Sequence, residues 1–256
     1  MIPRDLVDRA LDVNAANLAP ASESTRVPGG VLVRNRETPD IYDANHVMAI
    51  SAADDEEIDE LFRRAEQEFA PLGHRRFDVD YRVSPLVPAR LSLEGYERAD
   101  AIVMMLTGDL QLKPPEHRVE PVDSEDRWSE FARLKAADWA EHSERRGRSG
   151  EPQVAEAMAY LARRKFPEVR YWLAYLDGKP AGFFSSWPGI GGTGQVEDLF
   201  TLPECRNKGV AAALIRQAVG DCRARGASAL CAVPSSGRSR PDIPDAFLKN
   251  TRCRPP

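Results

Sequence analysis

Residues 196–213 read VEDLFTLPECRNKGVAAA, and this stretch decides the fold. Val196 to Leu202 has the β-branched and apolar content of a buried strand, and Pro203, which cannot donate to a ladder, closes it. Six residues later Gly209 opens a helix that starts with Val210, Ala211, Ala212 and Ala213. Small side chains there leave backbone amides uncovered. The first N–H groups of a helix have no internal partner and lie at the positive end of its dipole, so this turn can cradle an anion. Arg206 and Lys208 add positive charge. The stretch is neither GxxxxGK[ST] nor GxGxxG, which disfavours a nucleoside triphosphate or a dinucleotide.

Working outward, Gln195 to Leu202 is the strand, Gly209 to Arg225 the helix with Gly226 closing it, and Ala227 to Val233 a further strand. Upstream, Tyr171 to Leu176 and Ala181 to Trp187 flank Asp177-Gly178, a strong hairpin signal, with Gly189 to Gly194 as a following turn. Before the hairpin come a strand around Val119, a helix from Ser124 to His142 with Trp128, Phe131, Ala132 and Trp139 on one face, a polar loop Glu141 to Gly150, and a helix Val154 to Arg164. Lys113-Pro114-Pro115-Glu116 interrupts all periodicity and marks a domain boundary.

The first part of the chain reads as an N-terminal arm over 1–26, with some helix, and a compact α/β unit over 27–112. Val31 to Arg34 and His46 to Ile50 are short strands. A helix follows, capped by Ser51, with Asp54 to Glu57 in its first turn and Ile58, Leu61, Phe62, Ala65 and Phe69 on one face. His74 to Tyr81 alternates as a strand, Pro85 to Glu94 forms a short helix, and Ala101 to Leu106 is a strand-sized apolar run.

Composition narrows the function classes. Lys and Arg number 35 against 40 Asp and Glu, a net charge of −5 that offers no general attraction for nucleic acid or anionic lipid. No apolar run approaches the ~20 residues that span a bilayer. The cysteines (Cys205, Cys222, Cys231 and Cys253) form no CxxC pair and share no ligand spacing with the histidines, so no metal site is expected and a reduced, cytoplasmic protein fits. The four tryptophans read as core or cleft wall, since no basic groove accompanies them.

Arg206-Asn207-Lys208-Gly209-Val210-Ala211 matches the pattern [Q/R]-x-x-G-x-[G/A], and the elements around it fall in the order of one family. Over roughly residues 117–250 the chain resembles the GCN5-related N-acetyltransferases (GNAT). That resemblance implies an α/β (α+β) fold with a mixed, mostly antiparallel sheet flanked by helices, and acetyl transfer from acetyl-CoA to an amine by direct attack, without metal or covalent enzyme intermediate. By position, the turn from Arg206 through Ala211 takes the pyrophosphate, and main-chain groups of Leu199, Phe200 and Thr201 take the pantetheine arm and polarise the thioester carbonyl. Glu197 is the candidate base, deprotonating the amine through water, with Asp198 on the opposite face of the strand. The implied setting is bacterial, the partners are acetyl-CoA and an amine of a small molecule or protein, and a homodimer is compatible with it. The acceptor pocket falls to the loops at 147–153, 188–194 and 234–244.

Two features depart from the family pattern. Aligning Asp245 to Arg252 with the late L-Y-x-x-x-G-F pattern puts Phe247 at the tyrosine that protonates the leaving thiolate and Thr251 at the glycine, and only Cys253 to Pro256 follow. These leave an alternative in a different class, a non-catalytic acyl-CoA-binding or regulatory module. Residues 27–112 echo the family's late helix, strand, short helix and final strand, yet His46 to Asp54 contains no glycine. The expectation is a degenerate acetyltransferase-like half beside an acetyl-CoA-binding domain at 117–256.

Overall fold

A computed structural model of the chain describes residues 3–18, 20–106, 108–112 and 117–233. The described residues of Met1–Asn17 and Ala101–Pro256 form one compact unit, and Leu18–Asp100 form another. The division differs from the expected one at both ends. Helix α1 (Arg4–Leu18) is no loose arm: Leu6, Ala10 and Val13 recur at helical spacing and are buried in the core of the first unit.

In the unit Leu18–Asp100, β1 (Glu23–Val27) and β2 (Gly30–Arg34) form a hairpin, and β2 pairs antiparallel with β3 (His46–Met48). Gly29 sits in the hairpin turn with φ +79°, and a Cβ there would lie 2.9 Å from the Ala52 Cβ. Helix α2 (Asp55–Phe69) buries Ile58, Leu61, Phe62, Ala65 and Phe69 against Leu32 and Val47, the face its spacing predicts. Its cap is Asp54 rather than Ser51: the Asp54 carboxylate accepts from the Glu57 amide at 3.0 Å, and Glu57 accepts from the Ala53 amide in return. Helix α3 spans Leu86–Leu93. The alternating stretch His74 to Tyr81 forms a single bridge, Phe77 to Val47, and not a strand. Arg76 turns to Asp43 and Asp78, and Arg82 to Asp80, so local ion pairs replace a ladder.

The other unit is built on a six-stranded sheet in the order β4-β9-β8-β7-β6-β5. Its strands are β4 (Met104–Leu106), β5 (Arg118–Pro121), β6 (Arg170–Leu176), β7 (Lys179–Ile190), β8 (Thr193–Thr201) and β9 (Ala229–Ala232). The only parallel pair among them is β8 with β9. Strand β4 corrects the expected domain boundary. Its apolar run does not close an N-terminal half but pairs antiparallel with β9, Met105 opposite Cys231, where both faces are covered. The linker at 113–116 lies outside the described residues. Asp177 and Gly178 take positive φ in the β6–β7 turn, and β7 and β8 close around Gly191 and Gly192, so the turn expected over 189–194 is mostly strand. At Gly189 a Cβ would fall 1.8 Å from the Thr193 carbonyl oxygen, which only glycine avoids.

Helices cover both faces. Alternation along β6 sends Tyr171, Leu173 and Tyr175 to the face of α1, α4 (Glu125–Arg145) and α5 (Pro152–Lys165), and Trp172 and Ala174 to the face of α6 (Val210–Ala224). Phe131, Phe183 and Phe200 are fully buried in the first core, and Leu214, Ile215 and Leu230 in the second. Truncating one such phenylalanine to alanine costs ~3–5 kcal/mol. Among the described residues no helix is long and apolar enough to cross a membrane.

Candidate active site

Strand β8 is held unequally along its two edges. It pairs with β7 as far as Thr201 but with β9 only over Thr193, Gly194 and Gln195. From Val196 onward, no strand among the described residues covers the β9-side edge. The Leu202 amide donates to the Ala181 carbonyl at 2.9 Å. Antiparallel alternation then turns the main chain of Phe200 toward β7 and that of Thr201 toward the other edge. Of the three main-chain candidates, Leu199 and Thr201 are therefore the ones aimed at the open side.

A bulge interrupts β8 at the candidate base. Phe183 opposes Phe200 and Ser185 opposes Glu197, so Asp198 and Leu199 together face the single residue Phe184. Asp198 takes φ +64°, a left-handed conformation that aspartate adopts more readily than most non-glycine residues. The bulge corrects the placement of Asp198. It shares the α4 side with Glu197, where the buried Lys135 ammonium reaches Asp198 at 3.2 Å and Asp138 at 3.6 Å, while Leu199 turns to the α6 core. Two carboxylates thus stand on one face.

Glu197 is half-buried and firmly held. The Gln195 side-chain amide donates to one carboxylate oxygen at 2.6 Å and the Asn17 amide to the other at 3.3 Å. Gln195 also donates to the Asn14 side-chain oxygen at 3.1 Å, and Lys165 Nζ donates to the Asn17 carbonyl at 3.0 Å. Helix α1 therefore reaches the candidate base from the far end of the chain. Beside it Tyr171 is wholly buried; burial, with the Asp198 and Glu197 carboxylates, pushes its phenol well above the ordinary value.

Beyond β8 a single 3₁₀ turn, Pro203–Cys205, leads into the candidate anion turn. Asn207 and Gly209 both take positive φ, and Gly209 is the N-cap of α6 without a side-chain cap. The first backbone bond of α6 runs from the Ala213 amide to the Gly209 carbonyl at 3.1 Å. Among the described residues the amides of Gly209, Val210 and Ala211 have no main-chain partner. Asn207, Lys208 and Gly209 are exposed at this surface. Arg206 is employed differently from the expectation that it simply adds charge. Its Nη2 pairs with Glu141 on α4 at 2.6 Å, and its Nε donates to the Thr201 carbonyl at 3.1 Å, tying the end of β8 to α4.

The described cysteines are poor thiolates. Burial raises the Cys205 thiol, pushes Cys222 up to about 12 and holds Cys231 high as well. Phe247, Thr251, Cys253 and the loop 234–244 lie outside the described residues. Sequence reading singled out Glu197 and the run Arg206 to Ala211, and did not single out Asn17, Glu141 and His117, which contact these residues from other elements.

The sheet thus splays after Gln195, and β8 runs on through a short 3₁₀ turn into the start of α6. Residues 131–240 match the family model described as the Acetyltransferase (GNAT) family. Two solved structures share the fold over nearly the whole chain. One is a conserved protein of unknown function from Staphylococcus epidermidis ATCC 12228, at TM-score 0.63 and 10% identity over 88% of each chain. The other is a GCN5-related N-acetyltransferase from Kribbella flavida, at TM-score 0.58 and 16% identity over 90% of this chain and 87% of that one. A search of curated protein sequences finds no match.

Proposed function

We propose that the protein is an N-acetyltransferase that moves the acetyl group of acetyl-CoA to an amine of a small molecule or protein. The observation that carries this reading is that, among the described residues, β8 pairs with β9 only as far as Gln195 and then leads into a turn from which Gly209, Val210 and Ala211 donate no main-chain hydrogen bond. Such a path suits an extended amide-bearing arm that ends in a pyrophosphate. Gly209, Val210 and Ala211 supply the anion-binding amides, while Leu199 and Thr201 supply main-chain groups to the arm and the thioester carbonyl. A preorganised amide at that carbonyl is worth ~3 kcal/mol in the transition state.

Acetyl-CoA supplies an activated acyl group. The amine nitrogen bonds to the acyl carbon, the carbon–sulfur bond breaks, and the amine proton passes to Glu197 directly or through one water. The thiol that leaves has an ordinary pKa of ~8.5, so its thiolate departs without obligatory protonation. Gln195 and Asn17 hold the Glu197 carboxylate in place for the transfer. The unit Leu18–Asp100 takes no CoA in this reading, since the Asp54 carboxylate already occupies an amide of the first turn of α2 and Asp55, Glu56 and Glu57 repel an anion.

The test is calorimetric titration of acetyl-CoA into the wild type and into Gly209→Glu, which sets a carboxylate in the anion turn. Micromolar binding to the wild type, lost in the variant, is expected. Absence of binding to both proteins overturns the proposal.

A further inference from the structure

We propose that His117, immediately ahead of β5, is a positioning residue for the anion turn, acting through the Lys208–Gly209 peptide plane. The inference rests on the acetyl-CoA reading above. The His117 ring nitrogen Nε2 is in hydrogen-bond contact with the Lys208 carbonyl, ninety-one residues away in sequence. A Cβ built on Gly209 would meet that nitrogen at 3.3 Å and the adjacent ring carbon at 3.7 Å, so the ring lies directly against this peptide. A carbonyl oxygen only accepts, so Nε2 carries the proton and donates it.

Two consequences follow from peptide geometry. The Lys208–Gly209 bond is trans, and in a planar trans peptide the C=O and N–H point in opposite directions. Fixing the carbonyl on His117 therefore aims the Gly209 N–H away from the imidazole, alongside the other open amides of the turn. The second consequence concerns the start of the helix. In an uninterrupted α-helix the Lys208 carbonyl would accept from the Ala212 amide four residues on. Here α6 starts with the bond from Ala213 to Gly209, and the Lys208 carbonyl is engaged by the imidazole. His117 substitutes for an intrahelical acceptor bond. Without it, the carbonyl is available to wind α6 back by one residue, rotating the Gly209 amide and removing the Ala212 amide from the turn.

The experiment is calorimetric titration of CoA into the full-length wild type, His117→Ala and His117→Gln, with thermal melts of each. Glutamine is long enough to place an N–H donor near the imidazole Nε2. His117→Ala is expected to weaken CoA about tenfold, the scale of one hydrogen bond to a charged group. His117→Gln is expected to stay within about threefold of wild type, with all three melting alike. Unchanged affinity in His117→Ala overturns the inference, and so does a glutamine variant as weak as the alanine one. A wild type that binds no CoA overturns the acetyl-CoA reading itself, a distinct outcome. Amide hydrogen exchange on the unliganded wild type adds a test that needs no variant: Ala212 should exchange as an open amide, and protection equal to that of Ala213 refutes the proposed geometry.

Discussion

Replacing Arg206 by alanine removes a guanidinium from the junction of β8, α4 and the candidate anion turn. The guanidinium, 19% exposed, holds the equally enclosed Glu141 carboxylate at 2.6 Å and the Thr201 carbonyl at 3.1 Å. Losing a charged donor to a buried carbonyl costs ~1–2 kcal/mol. Leaving Glu141 to Arg145, which is about half exposed, costs a similar amount. The sum, about 3 kcal/mol, corresponds to a Tm lower by about 6–12 °C for a protein of this size. Because the end of β8 then loosens relative to the turn, CoA affinity should fall about tenfold or more. Glu141→Gln separates this account from a simple charge effect. If Arg206 only supplied positive charge to the anion, removing the opposing carboxylate would tighten CoA binding. If the pair instead fixes the turn, Glu141→Gln weakens binding and lowers Tm. Differential scanning calorimetry and CoA titration read both quantities, and tighter binding in Glu141→Gln would refute the reasoning.

Glu197→Gln should lower kcat by ~10²–10⁴ with whichever amine a screen yields, while acetyl-CoA affinity stays within threefold; equal kcat would remove Glu197 from the proton-transfer role. Asn17→Leu, which deletes the amide on the Glu197 carboxylate, should reduce kcat about tenfold with the KM for acetyl-CoA unchanged, as steady-state kinetics will show. Asp221 accepts from Arg170 at 2.6 Å and from Ser186 at 2.7 Å, and Ser186 in turn accepts from Trp172 at 2.8 Å, so Asp221→Ala should cost about 3 kcal/mol in urea denaturation and Asp221→Asn clearly less. Burial holds the imidazoles of His46 and His74 below the ordinary 6.5. The unfolded chain then binds more protons in that window, so the stability of Leu18–Asp100 should decline as pH falls through 6.5 and level off below the folded values; His46→Leu should flatten the slope measured by denaturation at pH 7.5 and 5.5.

The strand, turn and helix across 195–225 were legible because each rests on local chemistry: a proline that ends a ladder, a glycine at positive φ, small residues at a helix start. The Asp177-Gly178 hairpin was legible for the same reason. What stayed hidden depends on partners distant in the chain. The bulge at Asp198 is a slip in register against Phe183 and Ser185, and aspartate tolerates left-handed backbone well enough that no glycine marks the spot. Asn17 lies 180 residues from the carboxylate it holds. Met104 to Leu106 read as a strand, but an apolar run does not say which sheet it joins, and pairing with β9 settles that only in three dimensions. In His74 to Tyr81 the alternation was real while the charged positions found nearer partners, so periodicity alone overstated the strand.

The pairing of β4 with β9 and the burial of α1 make Leu18–Asp100 an insertion within the other unit rather than a bead in front of it. During synthesis the inserted unit can complete its core as soon as residue 100 has emerged. The host unit must hold Leu6, Ala10, Val13 and Met105 in waiting until β9 appears, over a hundred residues later. A fragment trimmed to the region that matches the family would leave one edge of β9 unpaired and the seat of α1 bare, and both are invitations to aggregation. Proteolytic or recombinant dissection of this chain should therefore excise the insertion and rejoin its ends, because cutting once between the two units severs the host.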